Sequence, residues 1–240
     1  MTSRRWALVT PVALAALALA VTGALAEAPA DRHAGGAGSA APAQALPTTS
    51  ALARAGLVDV RTYAPSILVD ARYATANNFT GRRLPGYCRP WAFLKQAAAR
   101  RLARVQRRLR RDGLGLKVLD AYRPARASRA MVRWAQRTGN GWVLTRGYVA
   151  RRSNHARGTT IDVTLVRLSS GRALDMGTAF DAFTPRSATL NARGAVRLRR
   201  LRLVRAMEGA GFRNYAREWW HYDFEARGPS RLDVPLGCRR

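Results

Sequence analysis

Two short segments around histidine contain the residue types from which a catalytic metal site can be built. The first contains His155 and, seven positions later, Asp162, with Gly158 between them. Zinc binds imidazole nitrogen and carboxylate oxygen together, and a buried carboxylate needs a cation or several hydrogen-bond donors. A structural hydrogen bond between the two side chains explains the pair as well, and taken alone it is the commoner arrangement. Gly158 permits a tight turn, so we expect His155 in a loop and Asp162 in the strand that follows.

The second segment covers residues 218–224 and reads Glu-Trp-Trp-His-Tyr-Asp-Phe. His221 is a candidate third ligand. Glu218 is a candidate base that takes a proton from water at the open fourth position of a catalytic zinc. An aromatic core strand with an incidental histidine is the alternative. Residues three apart lie on opposite faces of a regular strand, so the metal hypothesis requires a bend or bulge near Trp219.

Hydrophobic periodicity predicts an α+β fold, a single domain with a central, largely antiparallel sheet flanked by helices. The last predicted helix is expected to direct Leu198, Leu201, Val204 and Met207 toward the core. The arginine-rich face of the first helix is interpreted as solvated, and strand 159–168 is expected to have one apolar and one polar face. The predicted helices cover 91–112, 127–138 and 196–209, and the predicted strands lie near 68–70 and at 116–122, 159–168 and 218–224.

Further stretches, in order over residues 58 to 224, match one known family. Together with the two histidine segments they make the chain resemble the D-alanyl-D-alanine dipeptidases, the VanX-type zinc dipeptidases. The resemblance implies the zinc D-Ala-D-Ala peptidase, or Hedgehog-like, fold. The additional matching stretches are Tyr-Ala-Thr at 73–75, Asn-Phe-Thr-Gly at 78–81, Asp-Ala-Tyr-Arg-Pro at 120–124, Gly-Tyr-Val-Ala at 147–150, Met-Gly-Thr at 176–178 and Phe-Asp at 180–181.

The resemblance implies a metal centre with one zinc ion per chain. Its implied ligands are His155, Asp162 and His221, and Glu218 is the implied catalytic acid and base. Such a carboxylate accepts a proton from the attacking water and returns it to the leaving amine.

The resemblance also implies how the substrate is held. Arg123 is the implied electrophile, and a permanently charged guanidinium with a fork of donors suits a developing oxyanion. Tyr73, Ser153 and Asp181 are the implied substrate contacts. Asp181 would bind the substrate ammonium group, and Ser153 would donate a hydrogen bond to the substrate carboxylate.

Residues 1–26 have the layout of a secretory signal peptide, with a basic start, an apolar run and a small-x-small cleavage site at 24–26. A membrane anchor is the alternative. The apolar run is short for a bilayer span, and Thr10 and Pro11 interrupt it. We therefore expect export to the periplasm, the cell wall or the medium, with no membrane span after cleavage.

The segment that follows, residues 27–56, is rich in Ala, Gly and Pro and predicts a disordered linker. Residues 57–240 are then the dipeptidase domain. Outside the cytoplasm an even number of cysteines favours a disulfide, here between Cys88 and Cys238. Two unpaired thiols are the alternative.

The formal net charge is +28, and the basic residues are almost all arginine. They are spread along the chain rather than gathered in one tail, which argues against nucleic acid as the partner. For an exported protein the anionic peptidoglycan or cell envelope is the expected electrostatic partner, beside a small dipeptide substrate.

The predicted function is zinc-dependent hydrolysis of D-alanyl-D-alanine to two D-alanines, in cell-wall peptide turnover or salvage. A D,D-carboxypeptidase or endopeptidase acting on peptidoglycan stem peptides is an alternative on the same scaffold. A non-catalytic basic protein that binds the wall or nucleic acid is an alternative from another class. The presence of Glu218 and Arg123 speaks against it, because a binding module needs neither.

Overall fold

The computed structural model describes residues 50–224 and 230–238. No helix within these ranges is both long enough and apolar enough to cross a bilayer. The helices are α1 Ser50–Arg54, α2 Gln96–Arg110, α3 Ala125–Arg137, α4 Trp142–Thr145 and α5 Gly194–Glu208, and the strands are β1 Leu57–Asp59, β2 Leu68–Val69, β3 Phe93–Lys95, β4 Leu114–Asp120, β5 Thr160–Arg167, β6 Arg213–Asn214 and β7 His221–Asp223.

The main sheet has five strands in the order β2-β4-β5-β7-β6. The pairing of β2 with β4 is parallel, and the other three pairings are antiparallel. A separate two-stranded antiparallel ribbon joins β1 to β3. This architecture confirms the predicted α+β class with a largely antiparallel sheet.

Strand β5 lies at the centre of the sheet, and both of its faces are buried. The strand alternates as expected, with Ile161, Val163 and Leu165 on one face and Thr160, Asp162 and Thr164 on the other, and the latter three are at most 4% exposed. The polar face therefore does not meet solvent. It lies toward the interior of the protein, where Thr160 donates a hydrogen bond to Asp223.

Helix α2 begins at Gln96 rather than at the predicted residue 91, because Phe93–Lys95 pairs with β1 as strand β3. Helices α2 and α5 pack on each other and contribute to one core cluster with β4 and β5. The exposed arginines of α2, among them Arg104 and Arg107, lie on the side away from this core.

The predicted inward face of α5 was partly wrong. Leu198 is 65% exposed, and the fully buried positions include Arg200 and Leu203 together with Met207. Arg200 can be buried because its guanidinium donates hydrogen bonds to the carbonyl oxygens of Met176, Arg186 and Ala188. Hydrophobic periodicity does not anticipate a buried cation that is satisfied in this way.

The predicted linker extended too far along the chain. Helix α1 begins at Ser50, and its Leu52 is fully buried in the second core cluster beside Leu57. Lys95 Nζ also donates a hydrogen bond to the carbonyl oxygen of Ala55, at 2.5 Å. Residues 50–56 therefore belong to the folded part. The predicted signal peptide and the remainder of the predicted linker lie outside the described residues.

A disulfide joins Cys88 to Cys238 over a sequence separation of 150 residues. Beside it, Leu236 is fully buried and exchanges backbone hydrogen bonds with Gly86 and Cys88. Further along the same segment, the backbone of Val234 both donates to and accepts from the hydroxyl of Tyr122. The C-terminal segment is thus bound to the chain that leads from β4 into α3.

Candidate metal and catalytic site

The pairing of β5 with β7 places Asp162 directly opposite His221. Residues opposite each other in an antiparallel pair project to the same face of the sheet, so the two side chains meet. Oδ1 of Asp162 lies 3.0 Å from Nδ1 of His221. Strand register therefore brings together two residues that are 59 positions apart in the chain.

His155 comes from a 3₁₀ turn, Asn154–Arg157, that precedes β5. Ser153 caps this turn by accepting a hydrogen bond from the backbone N–H of His155 at 3.2 Å. Gly158 ends it at φ 72°, and a Cβ there would lie 2.6 Å from a methyl carbon of Leu57. Both the left-handed backbone and the lack of space require glycine.

The tautomer of His155 follows from its surroundings. Its Nδ1 lies 2.7 Å from the carbonyl oxygen of Ala121, which only an N–H can satisfy. Nε2 is thereby left with a lone pair, and it lies 3.4 Å both from Oδ2 of Asp162 and from Nδ1 of His221.

The side chains of His155, Asp162 and His221, which we call the metal cluster, fit a divalent cation. One ligand atom from each of His155, Asp162 and His221 can be chosen so that all lie within 4.8 Å of one another. Oδ1 of Asp162 is buried and has no assigned hydrogen-bond donor among the described residues, although His221 Nδ1 is close. An imidazole nitrogen and a carboxylate oxygen at this distance can bind the same ion. Two nitrogens and one oxygen are a donor set that zinc accepts.

Asp223 lies near the ring nitrogen of His221 that does not face Asp162. Nε2 of His221 lies 3.7 Å from Oδ2 of Asp223. Oδ1 of Asp223 accepts a hydrogen bond from the hydroxyl of Thr160 at 2.5 Å. A carboxylate behind a ligand histidine sets the orientation and basicity of the ring. The sequence reasoning missed this role of Asp223, and its position two residues after His221 was the available signal.

Glu218 lies in a turn immediately before β7, which supplies the bend that its spacing from His221 requires. The backbone N–H of His221 donates to the carbonyl oxygen of Glu218 at 3.3 Å, and Trp219 and Trp220 form the turn. Oε2 of Glu218 lies 3.8 Å from Nδ1 of His221. Burial raises the pKa of Glu218 to about 7, opposed by His221 and assisted by Asp162.

Arg123 is buried and held against the same cluster. Its Nη2 lies 2.8 Å from Oδ2 of Asp120 and 3.8 Å from Oδ2 of Asp162. The guanidinium carbon is 4.7 Å from the centre of the Tyr73 ring. Asp120 ends β4, where the register with β5 shifts, and it also accepts a hydrogen bond from the hydroxyl of Tyr87 at 2.6 Å.

Asp120 and Tyr87 are functional candidates that sequence reasoning did not select. Asp120 stood inside a stretch that carries the family resemblance, which was a usable signal. Tyr87 lay outside every such stretch, and nothing in its local sequence distinguishes it.

The three predicted substrate contacts line the same cavity as the metal cluster. The hydroxyl of Tyr73 donates to Oδ2 of Asp181 at 2.9 Å. Asp181 has φ 58°, and among the described residues it is the non-glycine residue with positive φ. Such a backbone costs free energy and is concentrated at functional sites. Ser153, which caps the turn of His155, also lines the wall.

This cavity has a volume of 230 Å³. Pockets for drug-sized ligands span roughly 300–1,000 Å³, so the space suits a small substrate. Its wall contains every predicted metal, catalytic and substrate residue: Tyr73, Arg123, Ser153, His155, Asp162, Asp181, Glu218 and His221.

Comparison with known proteins agrees with this geometry. The family model described as D-ala-D-ala dipeptidase matches residues 53–233. The chain belongs to this family. The match contains the whole cavity wall and the metal cluster, and it ends before Cys238, the second cysteine of the disulfide.

Relatives named D-alanyl-D-alanine dipeptidase support the assignment to this peptidase family. One from Streptomyces coelicolor is 38% identical over 186 residues, which cover 70% of this chain and 91% of the relative. One from Enterococcus faecium is 36% identical over 64% of this chain and 83% of the relative. One from Escherichia coli K12 is 36% identical over 75% of this chain and 88% of the relative. The matched lengths span most of each relative, so the likeness concerns whole dipeptidase domains.

Proposed function

We propose that this protein is a zinc-dependent dipeptidase that hydrolyses D-alanyl-D-alanine to two D-alanines. The observation that carries the proposal is the convergence of His155, Asp162 and His221, with Glu218 beside them, in a cavity of 230 Å³. The chain's membership of a dipeptidase family supports the same substrate class.

His155 through Nε2, His221 through Nδ1 and Asp162 would hold the zinc ion. Zinc supplies Lewis-acid chemistry, since it lowers the pKa of water and polarises a carbonyl group. The remaining nitrogens of the two rings face Ala121 and Asp223. Those contacts hold the rings in the orientation that metal binding needs.

Glu218 is the proposed acid and base. Its carboxylate is buried beside His221, and burial raises its pKa to about 7. A carboxylate with a raised pKa can accept a proton from the attacking water and return it to the leaving amine. One proton is accepted and one is returned, so the carboxylate ends the cycle in its starting state.

Arg123 is the proposed stabiliser of the oxyanion. Its guanidinium is anchored by Asp120 and lies against the ring of Tyr73, so it does not need to reorganise as charge develops. Preorganised donors of this kind are worth more in a buried site than in water. Arg123 therefore stabilises negative charge on the carbonyl oxygen of the scissile peptide bond.

The two charged ends of the dipeptide have separate proposed partners. Asp181, which accepts a hydrogen bond from Tyr73, is the partner of the ammonium group. Burial and the neighbouring Asp162 raise the pKa of Asp181, so a bound cation would relieve an unfavourable burial. Ser153 is the proposed hydrogen-bond partner of the substrate carboxylate.

The cavity volume of 230 Å³ favours a free dipeptide over a longer peptidoglycan stem peptide. We also propose that the protein acts outside the cytoplasm. The support is the signal-peptide layout of residues 1–26. Turnover or salvage of dipeptide released from the cell wall is the role that fits this location.

A peptide panel tests the function. The holoenzyme is incubated with D-alanyl-D-alanine, its L,L form and a muropeptide ending in D-alanyl-D-alanine, each with and without a chelator. We expect release of D-alanine from the free D,D-dipeptide alone, abolished by chelator and restored by zinc. Faster cleavage of the muropeptide would instead establish a carboxypeptidase. No cleavage of any peptide by the zinc-loaded protein would refute the proposal.

A further inference from the structure

A second cavity lies at the beginning of α5 and has no role in the proposed reaction. Its volume is 650 Å³. Four arginines line it, namely Arg186, Arg193, Arg197 and Arg200, and none of the described residues in its wall is acidic. We call it the arginine cavity. None of its lining residues belongs to the wall of the cavity that contains the metal cluster.

Arg200 gives this cavity a fixed cation. It is 1% exposed, and Nε and Nη1 donate hydrogen bonds to three backbone carbonyl oxygens. Within the described ranges Nη2 donates no hydrogen bond, and no carboxylate lies within ion-pair distance of the guanidinium. Asp175 is the carboxylate that acts on the pKa of Arg200, but its ion pair is with Arg199.

The electrostatics of Arg200 are those of a charge that lacks a counter-ion. Burial lowers its pKa, Asp175 opposes this, and the neighbouring Arg186 lowers the pKa further. A buried guanidinium stays charged at neutral pH, and a buried charge is costly unless an opposite charge is near. An anion in the arginine cavity would supply that charge.

The start of α5 adds further anion-binding groups. The N-cap residue, Arg193, makes no side-chain capping hydrogen bond, and no acidic residue lies in the first turn. The first backbone N–H groups of a helix point outward and, with the helix dipole, favour an anion. Ala192, Arg193, Val196 and Arg197 line the cavity at this end, whereas Gly194 and Ala195 do not. The helix start therefore contributes its arginine side chains and its dipole, rather than its first N–H groups, to the space that Arg200 lines.

We propose that the arginine cavity is a binding site for a phosphate-type oxyanion, separate from the catalytic centre. Arg200 Nη2 supplies a donor without a hydrogen-bond partner among the described residues, Arg193 and Arg197 supply exposed charges, and the dipole of α5 favours a negative charge at the helix start. A tetrahedral oxyanion has enough acceptor oxygens for all three arginines, and arginine recognises phosphate with a fork of donors. A soluble phosphate and the phosphodiester of an anionic polymer share this chemistry.

The test measures phosphate binding to the zinc-loaded protein by calorimetry at constant ionic strength. The variant R193Q/R197Q removes two exposed charges and leaves the structural Arg200 in place. The control variant R104Q/R107Q removes two exposed charges from α2, outside the arginine cavity. Both variants retain the catalytic centre, so phosphate that binds there contributes equally to all three proteins.

We expect the wild type to bind one phosphate more than R193Q/R197Q does, or to bind it about tenfold more tightly, because charge-assisted hydrogen bonds are lost. The control variant is expected to bind like the wild type. Equal binding by wild type and R193Q/R197Q, or equal losses in both variants, would overturn the proposal.

The source of the oxyanion is distinguished by the probe. Inorganic phosphate, glycerol 3-phosphate and a bis-glycerol phosphodiester are titrated in parallel. Binding of all three at the arginine cavity supports the site and makes an anionic polymer its ligand. Binding of inorganic phosphate and glycerol 3-phosphate, but not of the phosphodiester, supports the site and makes a soluble phosphate its ligand. A response no larger than that to chloride for every probe would refute it.

Discussion

Both Nε and Nη2 of Arg123 lie 2.8 Å from the same oxygen of Asp120, which fixes the guanidinium beside the metal cluster. Asp120→Asn removes the negative charge and loosens this contact. We expect kcat to fall by about 10²-fold, since a small displacement of a catalytic group can cost that much. Tm should fall as well, because the buried charge of Arg123 loses its partner, while zinc content is retained because the three ligands are unchanged. The matched control is Asp70→Asn, which breaks a more exposed pair with Arg72. Unchanged kcat in Asp120→Asn would show that Arg123 does not depend on Asp120.

Glu218→Gln tests the acid and base. The amide keeps the shape of the side chain but cannot accept the proton, so we expect turnover to fall by about 10²–10⁴-fold with zinc content retained. Steady-state kinetics and metal analysis on the same preparation make the measurement. Glu208→Gln, an exposed position on α5, is the control and should behave as wild type. A metal-free Glu218→Gln protein would contradict the assignment.

His221→Ala tests the metal centre. Removal of one of three ligands should abolish both zinc binding and activity, and His155→Ala should behave alike. Wild-type protein treated with chelator should lose the same activity and regain it with zinc. Unchanged zinc stoichiometry in His221→Ala would exclude this residue as a ligand.

Asp223→Asn should reduce zinc affinity and activity without abolishing them. Asp223 lies behind His221 and is expected to orient the ring rather than bind the ion. Replacement of such a partner typically costs about 10–100-fold in metal affinity or activity. Competition with a fluorescent chelator measures the affinity, and a full loss of zinc would indicate that Asp223 is itself a ligand.

Asp181→Asn tests recognition of the substrate ammonium group. Asparagine tolerates the left-handed backbone at this position, so the fold should be retained. Hydrogen bonds to charged groups contribute about 1.5–3 kcal/mol, and we expect kcat/KM for D-alanyl-D-alanine to fall by about 10–100-fold. The wild type should strongly prefer the free dipeptide over its N-acetyl form, and the variant should lose that preference. Asp175→Asn, an exposed position nearby, is the control.

The disulfide should contribute to stability through the long loop it closes. Replacement of both Cys88 and Cys238 by serine is expected to lower the free energy of unfolding by about 2–5 kcal/mol. Denaturant titration measures the change. A reductant should destabilise the wild type and leave the double variant unaffected. Equal midpoints for the two proteins would mean that the bond does not stabilise the fold.

Much of the fold could be predicted because it depends on local patterns. Alternating apolar residues indicated β5, and periodicity of three and four indicated α2. Short elements were harder to predict from the sequence. The three residues of β3 are too few for a period to appear, and α1 was assigned to the linker because its surroundings are rich in alanine. The burial of Arg200 was missed because its acceptors lie on a loop up to 24 residues away in the chain.

The sequence by itself determined which residue types were available for chemistry and the order of the elements that present them. The local sequence specifies the turns and strands that contain the candidate site residues His155, Asp162, Glu218 and His221. Tertiary structure decided everything that depends on distant pairing. The register of β5 against β7 places Asp162 opposite His221. The packing of the segment after β4 against β5 places Arg123 3.8 Å from Asp162, and the packing around the start of α5 places four arginines around one cavity. Spacing along a chain carries no information about such contacts, because strand register and helix packing are set by the whole core.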